Sequence, residues 1–213
     1  MQVCPLCQKT QTVLFYEEKR RPFYKCEHCC LVFVPKDFHI SFDEEKKRYD
    51  QHQNNEKSEQ FDGYKKWMQD FWAWIKETPL RGKICDYGSG PHPILSEFAK
   101  VDGLELISYD LHYANQTKAD LFDLDLLILS EVVEHFRAPY EEWNELREMV
   151  KKSGRICIRT SLWNEGIRWK DWAYARDNTH INFYHQKTMS YLAQSKGLEL
   201  IRLEKDKIEF RKL

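Results

Sequence analysis

The stretch Ile84-Cys85-Asp86-Tyr87-Gly88-Ser89-Gly90 decides the fold that the sequence predicts. Its apolar start is typical of a buried β-strand, and Gly88 and Gly90 break that strand into a tight turn. Glycine is needed where the backbone takes positive φ, or where a β-carbon would keep a ligand away from the main chain. An isolated G-x-G also fits an ordinary strand-to-helix connection, so the surrounding sequence must decide between a ligand site and a simple turn.

The composition is that of a globular protein with one domain of moderate size and a small appendage: 213 residues, 42% apolar and 14% aromatic. Its 33 basic and 34 acidic residues give a formal net charge of −1, so no overall basic field attracts nucleic acid or an anionic membrane. The amino terminus lacks the charged-then-apolar order of a signal peptide, and no apolar run reaches the ~20 residues of a membrane span. We therefore expect a cytoplasmic protein without membrane insertion.

Four of the seven cysteines form two C-x-x-C pairs near the amino terminus. Between Cys4 with Cys7 and Cys26 with Cys29 lie 18 residues, a spacing that fits a four-thiolate zinc site. Four thiolates fill the coordination of zinc, so the predicted ion is structural. Two disulfides are the alternative, which a reducing compartment disfavours, and Cys30 is an alternative ligand. The remaining two cysteines lie in apolar, strand-like runs and are predicted to be core residues.

Composition also suggests the domain boundaries. The predicted division is a zinc ribbon at residues 1–36, a linker at 37–63 and the main domain at 64–213. The linker is rich in charged and amide side chains and has almost no apolar periodicity, as in a solvated, partly helical connector. The alternative interpretation is that Tyr49, His52 and Gln53 fold over a neighbouring ligand.

Beyond the linker, apolar periodicity alternates between helix and strand, as expected of an α/β domain. The predicted elements are helices over 63–78, 93–100, 139–152 and 186–196, and strands over 83–87, 104–109, 124–129, 155–159, 198–203 and 208–210. The aromatic stripe of the first helix is interpreted as core. Nearly continuous apolar strands are typical of parallel sheets covered on both faces. The predicted fold is therefore α/β, a mostly parallel sheet with helices on both faces and a C-terminal antiparallel hairpin strand.

Asp110 indicates which class of ligand the glycine turn binds. It lies 20 residues beyond Gly90, at the end of the second predicted strand, where a carboxylate can accept hydrogen bonds from both ribose hydroxyls of a nucleoside. A dinucleotide site would carry a third glycine at the position of Pro93. The pattern therefore favours a nucleoside ligand and disfavours NAD.

These motifs together resemble the class I methyltransferases that use S-adenosylmethionine (SAM), specifically the small bacterial type with an N-terminal Cys4 zinc ribbon. Residues 86–91 resemble the glycine-rich first motif of that family, and residues 131–136 its E-V-x-E-H-F segment after the fourth strand. Residues 171–184 resemble the W-x-Y-x-x-D-x-T-H-x-x-F-[YF] stretch that leads into the last helix. The resemblance implies a Rossmann-like fold and SAM as cofactor. The cofactor-binding residues that it implies are Asp86, Tyr87, Gly88, Ser89, Gly90, Asp110, Leu111, Glu131 and Val132.

One departure from the family concerns the segment after Asp110. Only 14 residues separate Asp110 from Asp125, too few for the usual helix, strand and connecting helix. We therefore expect the third strand to be short or missing. Asp120 is the best-placed candidate to meet the adenine amino group.

Methyl transfer from a sulfonium is an in-line displacement in which positioning can supply most of the acceleration, so no nucleophilic triad is expected. A general base could assist a hydroxyl or amine acceptor, and His135, His180 and His185 are the candidates because histidine titrates near neutrality. Tyr184 is a further catalytic candidate. Alternatively, His135 is a helix-start residue with a satisfied hydrogen bond, and Tyr184 and His185 pack and cap.

Residues 161–185 carry tryptophans and basic side chains that suit a lid over a pocket for a planar or anionic acceptor; alternatively, the tryptophans are apolar plugs that touch no substrate. The favoured function is methyl transfer to a small-molecule, sugar-linked or envelope-precursor acceptor. The alternatives are an RNA methyltransferase that docks nucleic acid through its ribbon, and a non-catalytic binding module that keeps the fold. The acceptor atom, whether oxygen, nitrogen or carbon, stays open at this point.

Overall fold

The computed structural model describes residues 2–18, 21–51, 59–113 and 117–213. These residues contain ten β-strands and six α-helices. The strands are β1 (Thr12–Glu18), β2 (Arg21–Cys26), β3 (Val32–Phe33), β4 (Ile84–Tyr87), β5 (Leu106–Tyr109), β6 (Leu124–Ser130), β7 (Val150–Arg159), β8 (Asn182–Phe183), β9 (Leu198–Glu204) and β10 (Lys207–Lys212). The helices are α1 (Phe42–Gln51), α2 (Glu59–Lys76), α3 (Ile94–Val101), α4 (Pro139–Met149), α5 (Ala173–Arg176) and α6 (Gln186–Lys196).

A six-stranded sheet in the order β5-β4-β6-β7-β10-β9 forms the centre of the main domain. Its first four strands are parallel, whereas β10 runs antiparallel to both β7 and β9. This arrangement confirms the predicted α/β fold with a C-terminal hairpin. Because the carboxyl ends of β4, β5 and β6 meet at one edge, the loops that follow them can build one site.

Both faces of the sheet are covered by helices, as predicted. Leu126 and Ile128 of β6 pack in a cluster with α2 and α3, whereas Leu127 and Leu129 pack with α4 and α6. The alternation follows from the two-residue period of a strand, and it explains why β6 is apolar on both faces from Leu126 to Leu129. Each fully buried leucine contributes about 1.5–3 kcal/mol to stability.

The segment between β5 and β6 contains no strand in its described residues, 111–113 and 117–123. It contains a turn and a short 3-10 helix, Lys118–Asp120. The expectation of a short or missing third strand is therefore confirmed for that part of the chain.

A second, four-stranded sheet has the order β1-β2-β3-β8. Its last strand comes from the C-terminal half of the chain, so the predicted ribbon is joined to the main domain by backbone pairing. Arg21 strengthens the junction: its guanidinium donates hydrogen bonds to the carbonyl oxygens of Ala175, at 2.9 Å, of Asp177, at 3.0 Å, and of His180. The ribbon therefore holds the loop that carries His180.

One predicted helix boundary differs because of a tertiary contact. The helix predicted over residues 139–152 ends earlier in the structure: α4 ends at Met149 and β7 begins at Val150. The reason is tertiary, because the buried Val150 pairs with Leu124 of β6 instead of extending the helix. Helix α1 lies within residues 37–63, in agreement with the predicted partly helical connector. None of the described helices is long and apolar enough to cross a membrane.

Candidate active site

A cavity of about 610 Å³ opens at the carboxyl ends of β4, β5 and β6. Each strand leads into a segment that lines it: residues 87–92 after β4, 110–113 after β5, and 130–132 and 135–137 after β6. Helices α1 and α2 and residues of the 177–180 loop complete the wall. The volume is within the ~300–1,000 Å³ range of ligand sites.

The glycine turn forms one wall of this cavity. Gly88 and Gly90 take φ values of +83° and +67°, and the amides of Gly88 and Ser89 both donate to the Tyr109 carbonyl, at 2.7 and 3.0 Å. A β-carbon at Gly88 would lie 2.4 Å from Cγ2 of Val132, whereas one at Gly90 would meet no atom within 4 Å. Gly88 is therefore required by packing, and Gly90 leaves the backbone open to a ligand.

Asp110 braces the turn and faces the same cavity. Its Oδ2 accepts a hydrogen bond from the Gly90 amide at 2.9 Å, and its Oδ1 accepts one from the His112 amide at 2.8 Å. A carboxylate offers about four lone-pair sites, so both oxygens can accept further bonds from a ligand. Leu111 lies beside it on the cavity wall.

Asp86 lies behind the turn with only 3% of its surface exposed. Burial, together with the nearby charge of Asp110, raises the pKa of Asp86 to about 7. Its neighbour Tyr87 lines the cavity, whereas Asp86 does not. A negative charge on Asp86 is therefore costly in the isolated chain near neutral pH, and a cationic ligand would lower that cost.

This burial predicts a pH-dependent effect of Asp86→Asn. Because the folded-state pKa of Asp86 lies above its ordinary value of 3.8, ionisation weakens the fold as pH rises from about 4 to about 7, and the penalty then stays constant. We expect the free energy of unfolding of the variant, relative to that of the wild type, to increase by about 2 kcal/mol from pH 5 to pH 8. Urea unfolding at both pH values measures this, and a difference that does not change with pH would contradict the burial argument.

Glu131 and Val132 line the cavity directly after β6. Glu131 takes a φ of +53°, a conformation that is uncommon for residues other than glycine, and its amide donates to the Arg159 carbonyl at 2.9 Å. Burial, and next the neighbouring carboxyl of Glu134, raise the pKa of Glu131. The strained backbone thus holds a carboxyl group at the cavity wall beside a second, fully buried one.

His135 and His180 meet at the cavity, with ring centroids 4.8 Å apart. His135 ends a short 3-10 helix, Val133–His135, and His180 lies in the loop after α5. Burial lowers the pKa of His180 to about 4, so this ring stays neutral near pH 7. The structure therefore brings together two of the three histidines that the sequence suggests as catalytic candidates.

Three other candidate site residues, Tyr184, Asp120 and His185, do not line the cavity. Tyr184 is fully buried, and its hydroxyl accepts a hydrogen bond from Nε1 of Trp143 and donates one to the Val133 carbonyl. Asp120 is exposed, and its carboxylate caps its own 3-10 helix by accepting from the amide and hydroxyl of Thr117. Tyr184 therefore packs the core, and Asp120 closes a turn. His185 caps α6 by accepting a hydrogen bond from the Lys187 amide, as the capping interpretation predicted.

The four cysteines of the two C-x-x-C pairs form one cluster, as the spacing predicted. Their sulfurs lie within 4.8 Å of one another, with Cys4 and Cys29 at 3.6 Å and Cys7 and Cys26 at 3.5 Å. Four ligands at ~2.3 Å around a tetrahedral zinc ion stand about 3.8 Å apart, close to these distances. All seven cysteines are free of disulfide bonds, which excludes the two-disulfide alternative for this structure.

Comparison with known proteins connects this geometry to a family. The family described as "Methyltransferase domain" matches residues 51–203, more than half of the chain. The chain belongs to the methyltransferase domain family. No curated protein sequence matches it significantly.

Solved structures share the fold of this methyltransferase domain at low sequence identity. The magnesium protoporphyrin IX methyltransferase of Synechocystis PCC 6803, with bound SAH, is 15% identical with a TM-score of 0.58, over 81% of this chain and 96% of that one. The 1,6-didemethyltoxoflavin-N1-methyltransferase of Burkholderia thailandensis, with bound 1,6-didemethyltoxoflavin and S-adenosylhomocysteine, is 13% identical with a TM-score of 0.57. The match covers 93% of this chain and 98% of that one. LaPhzM is 13% identical with a TM-score of 0.53; the match covers 71% of this chain but only 57% of LaPhzM.

Helix α1 is the part of the methyltransferase domain's site that sequence reasoning mostly missed. Its residues Phe42, Glu45 and Tyr49 line the cavity. Arg137 holds α1 in place: its guanidinium forms an ion pair with Glu45 at 2.7 Å and donates a hydrogen bond to the Ile40 carbonyl oxygen at 2.8 Å. The sequence indicated this helix only through the interpretation that Tyr49 folds over a neighbouring ligand, and Tyr49 does line the cavity. His52 and Gln53, named with it, lie outside the described residues.

For the tryptophans of residues 161–185, the structure favours apolar plugs over a lid. Trp163 and Trp169 are buried against the ribbon, where Trp169 lies 5.4 Å from Phe23 between ring centroids. Of residues 161–185, only Asp177, Thr179 and His180 line the main cavity. The tryptophans therefore act as apolar plugs between the ribbon and the main domain.

Proposed function

We propose that this chain is a SAM-dependent methyltransferase that acts on a small-molecule acceptor. The observation that carries the proposal is the open backbone at Gly90, braced by Asp110, at the carboxyl edge of the parallel sheet. A β-carbon at Gly90 would meet nothing in the chain, so this position leaves room for a ligand against the main chain. The residues present therefore fit the nucleoside cofactor that the family uses.

The cofactor supplies a methyl group activated by a positively charged sulfur. In our proposal, the turn at Gly88 and Gly90 holds the amino-acid end, and Asp110 accepts hydrogen bonds from the ribose hydroxyls. Glu131 and Val132 line the methionine side. These residues bind and orient the cofactor, and orientation is the main contribution that an in-line displacement needs.

The enclosure of the cavity favours a small acceptor. Helix α1 and the loop with His180 form part of its wall. Two arginines near this wall are already paired: Arg137 with Glu45 at 2.7 Å, and Arg48 with Asp177 at 3.1 Å. A single-stranded RNA acceptor would need a positively charged groove that tracks its backbone. We therefore favour a small molecule over RNA.

Replacing Asp110 by alanine tests the proposal. Hydrogen bonds to a charged group contribute about 1.5–3 kcal/mol, so we expect Asp110→Ala to weaken SAM binding about 10- to 100-fold in isothermal titration calorimetry. Asp120→Ala is the matched control, since it removes a neighbouring aspartate that lies outside the cavity, and its affinity should equal that of the wild type. SAM binding by Asp110→Ala at wild-type affinity would instead support a non-catalytic module.

We further propose that Cys4, Cys7, Cys26 and Cys29 bind one structural zinc ion. The support is the sulfur cluster itself, because four buried thiols at these distances leave no open coordination position for substrate. Free cysteines also fit a reducing compartment, and we therefore place the protein in the cytoplasm.

A further inference from the structure

A second group of potential metal ligands lies at the main cavity, separate from the cysteine cluster. One donor atom from each of Glu134, His135 and His180 lies within 4.8 Å of the other two. We propose that these three residues bind a divalent cation with an open coordination position for an oxygen of the methyl acceptor. The role of the methyl acceptor rests on the proposed methyltransferase function, whereas the cation site rests only on the geometry of the three side chains.

Both histidines are oriented for metal binding. Nδ1 of His135 lies 3.0 Å from the Thr179 carbonyl oxygen, and Nδ1 of His180 lies 2.8 Å from the Tyr174 carbonyl oxygen. A carbonyl only accepts, so each Nδ1 carries the hydrogen and each Nε2 keeps its lone pair. Metal-bound histidines are held in this way, with the second ring nitrogen donating to a carbonyl or carboxylate.

Glu134 supplies an independent observation. It is fully buried, and its Oε2 accepts a hydrogen bond from the Thr160 hydroxyl at 3.0 Å. Its Oε1 is buried and has no hydrogen-bond partner among the described residues. An unpaired buried carboxylate oxygen is costly unless a cation or donor meets it. The carboxyl of Glu131 lies next to Glu134, so a cation here would offset the repulsion between the two carboxyl groups.

The ligand types indicate which metals fit. Two imidazoles and a carboxylate suit first-row ions such as Mn²⁺, Fe²⁺, Co²⁺ or Zn²⁺, and three protein ligands leave coordination positions free. Because His135, His180 and Glu131 line the same cavity as the glycine turn, we expect the free positions to face the methyl donor. The geometry therefore assigns an oxygen nucleophile, and hence O-methylation.

The reaction balances without a further reactant. A hydroxyl bound to the cation becomes more acidic, and its O–H bond breaks with transfer of the proton to solvent water. The oxygen then forms a bond to the methyl carbon while the carbon–sulfur bond breaks, and the sulfur keeps the electron pair. The products are the methyl ether, the demethylated cofactor and one proton.

Mn²⁺ is the probe that tests the site, because thiolates prefer softer ions and the cysteine cluster of zinc-loaded protein should not compete. We titrate the full chain with Mn²⁺ and follow the free ion by electron paramagnetic resonance. We expect one bound Mn²⁺ per chain and at least tenfold weaker binding in Glu134→Gln and in His180→Ala. His92→Ala, which changes an exposed histidine at the cavity rim, should bind Mn²⁺ like the wild type. Enhanced water-proton relaxation by bound Mn²⁺ would show the open position.

The possible failures are distinguishable. Calorimetry with S-adenosylhomocysteine in the absence of Mn²⁺ tests the proposed function separately, and both ligand variants should retain this binding and so report folded protein. No stoichiometric Mn²⁺ binding, or equal binding by wild type, Glu134→Gln and His180→Ala, would overturn the cation site while leaving the methyltransferase proposal intact. Bound Mn²⁺ without enhanced relaxation would overturn the open position and the oxygen acceptor.

Discussion

Gly90→Ala is expected to abolish measurable SAM binding while the chain still folds. The added methyl group meets no atom of the chain within 4 Å and lies at the wall of the cavity, where the cofactor's amino-acid end would contact the backbone. Steric overlap there should weaken binding by about 100-fold or more, a loss of at least ~2.7 kcal/mol. Calorimetry with SAM measures this directly.

Gly103→Ala is a closely matched control. Gly103 has a φ of +72° against +67° at Gly90, and a β-carbon there would also meet nothing within 4 Å, but it follows α3 and does not line the cavity. Each alanine should cost about 1–2 kcal/mol for the left-handed conformation, so both variants should show a similar fall in Tm. Only Gly90→Ala should lose the cofactor. Equal SAM affinity in the two variants would show that the turn does not contact the ligand.

The parts of the site that the sequence predicted are those set by local structure. A strand that ends in a glycine turn places its flanking residues at the sheet edge regardless of what packs elsewhere, and Asp110 follows the next parallel strand to the same edge. The spacing of Cys4, Cys7, Cys26 and Cys29 likewise needs only two local turns and one hairpin. For such motifs the order along the chain determines the arrangement in space.

The interpretations that the sequence left open concern residues whose neighbours come from distant parts of the chain. For the tryptophans of residues 161–185, the interpretation as apolar plugs agrees with the structure. Nothing in their spacing, however, shows that they pack on Phe23 of the ribbon. Tyr184 follows a strand that pairs with the ribbon, and this pairing turns its ring into the core. The polar sequence of α1 does not indicate that the helix lines the cavity, because α1 buries few side chains and is held in place by Arg137.

Loss of the proposed zinc ion should have the largest effect on stability. We expect Cys26→Ser to carry less than one-tenth of a zinc ion per chain by elemental analysis, against one in the wild type. Structural zinc contributes folding free energy directly, and we expect a loss of at least about 3 kcal/mol, or roughly 6–12 °C in Tm for a chain of this size. Cys30→Ser is the control, because Cys30 neighbours the cluster but lies outside the group of four sulfurs.

The loss should extend from the ribbon into the active site along the contacts already described. If β2 loses its zinc-bound end at Cys26, Arg21 can no longer hold the carbonyl oxygens of Ala175, Asp177 and His180. Hydrogen–deuterium exchange should therefore rise in residues 173–183 of Cys26→Ser, and stay unchanged in α3 at the far side of the sheet. Zinc loss by Cys30→Ser instead would make Cys30 the fourth ligand. Unchanged exchange in residues 173–183 of a zinc-free Cys26→Ser would show that the ribbon does not support His180.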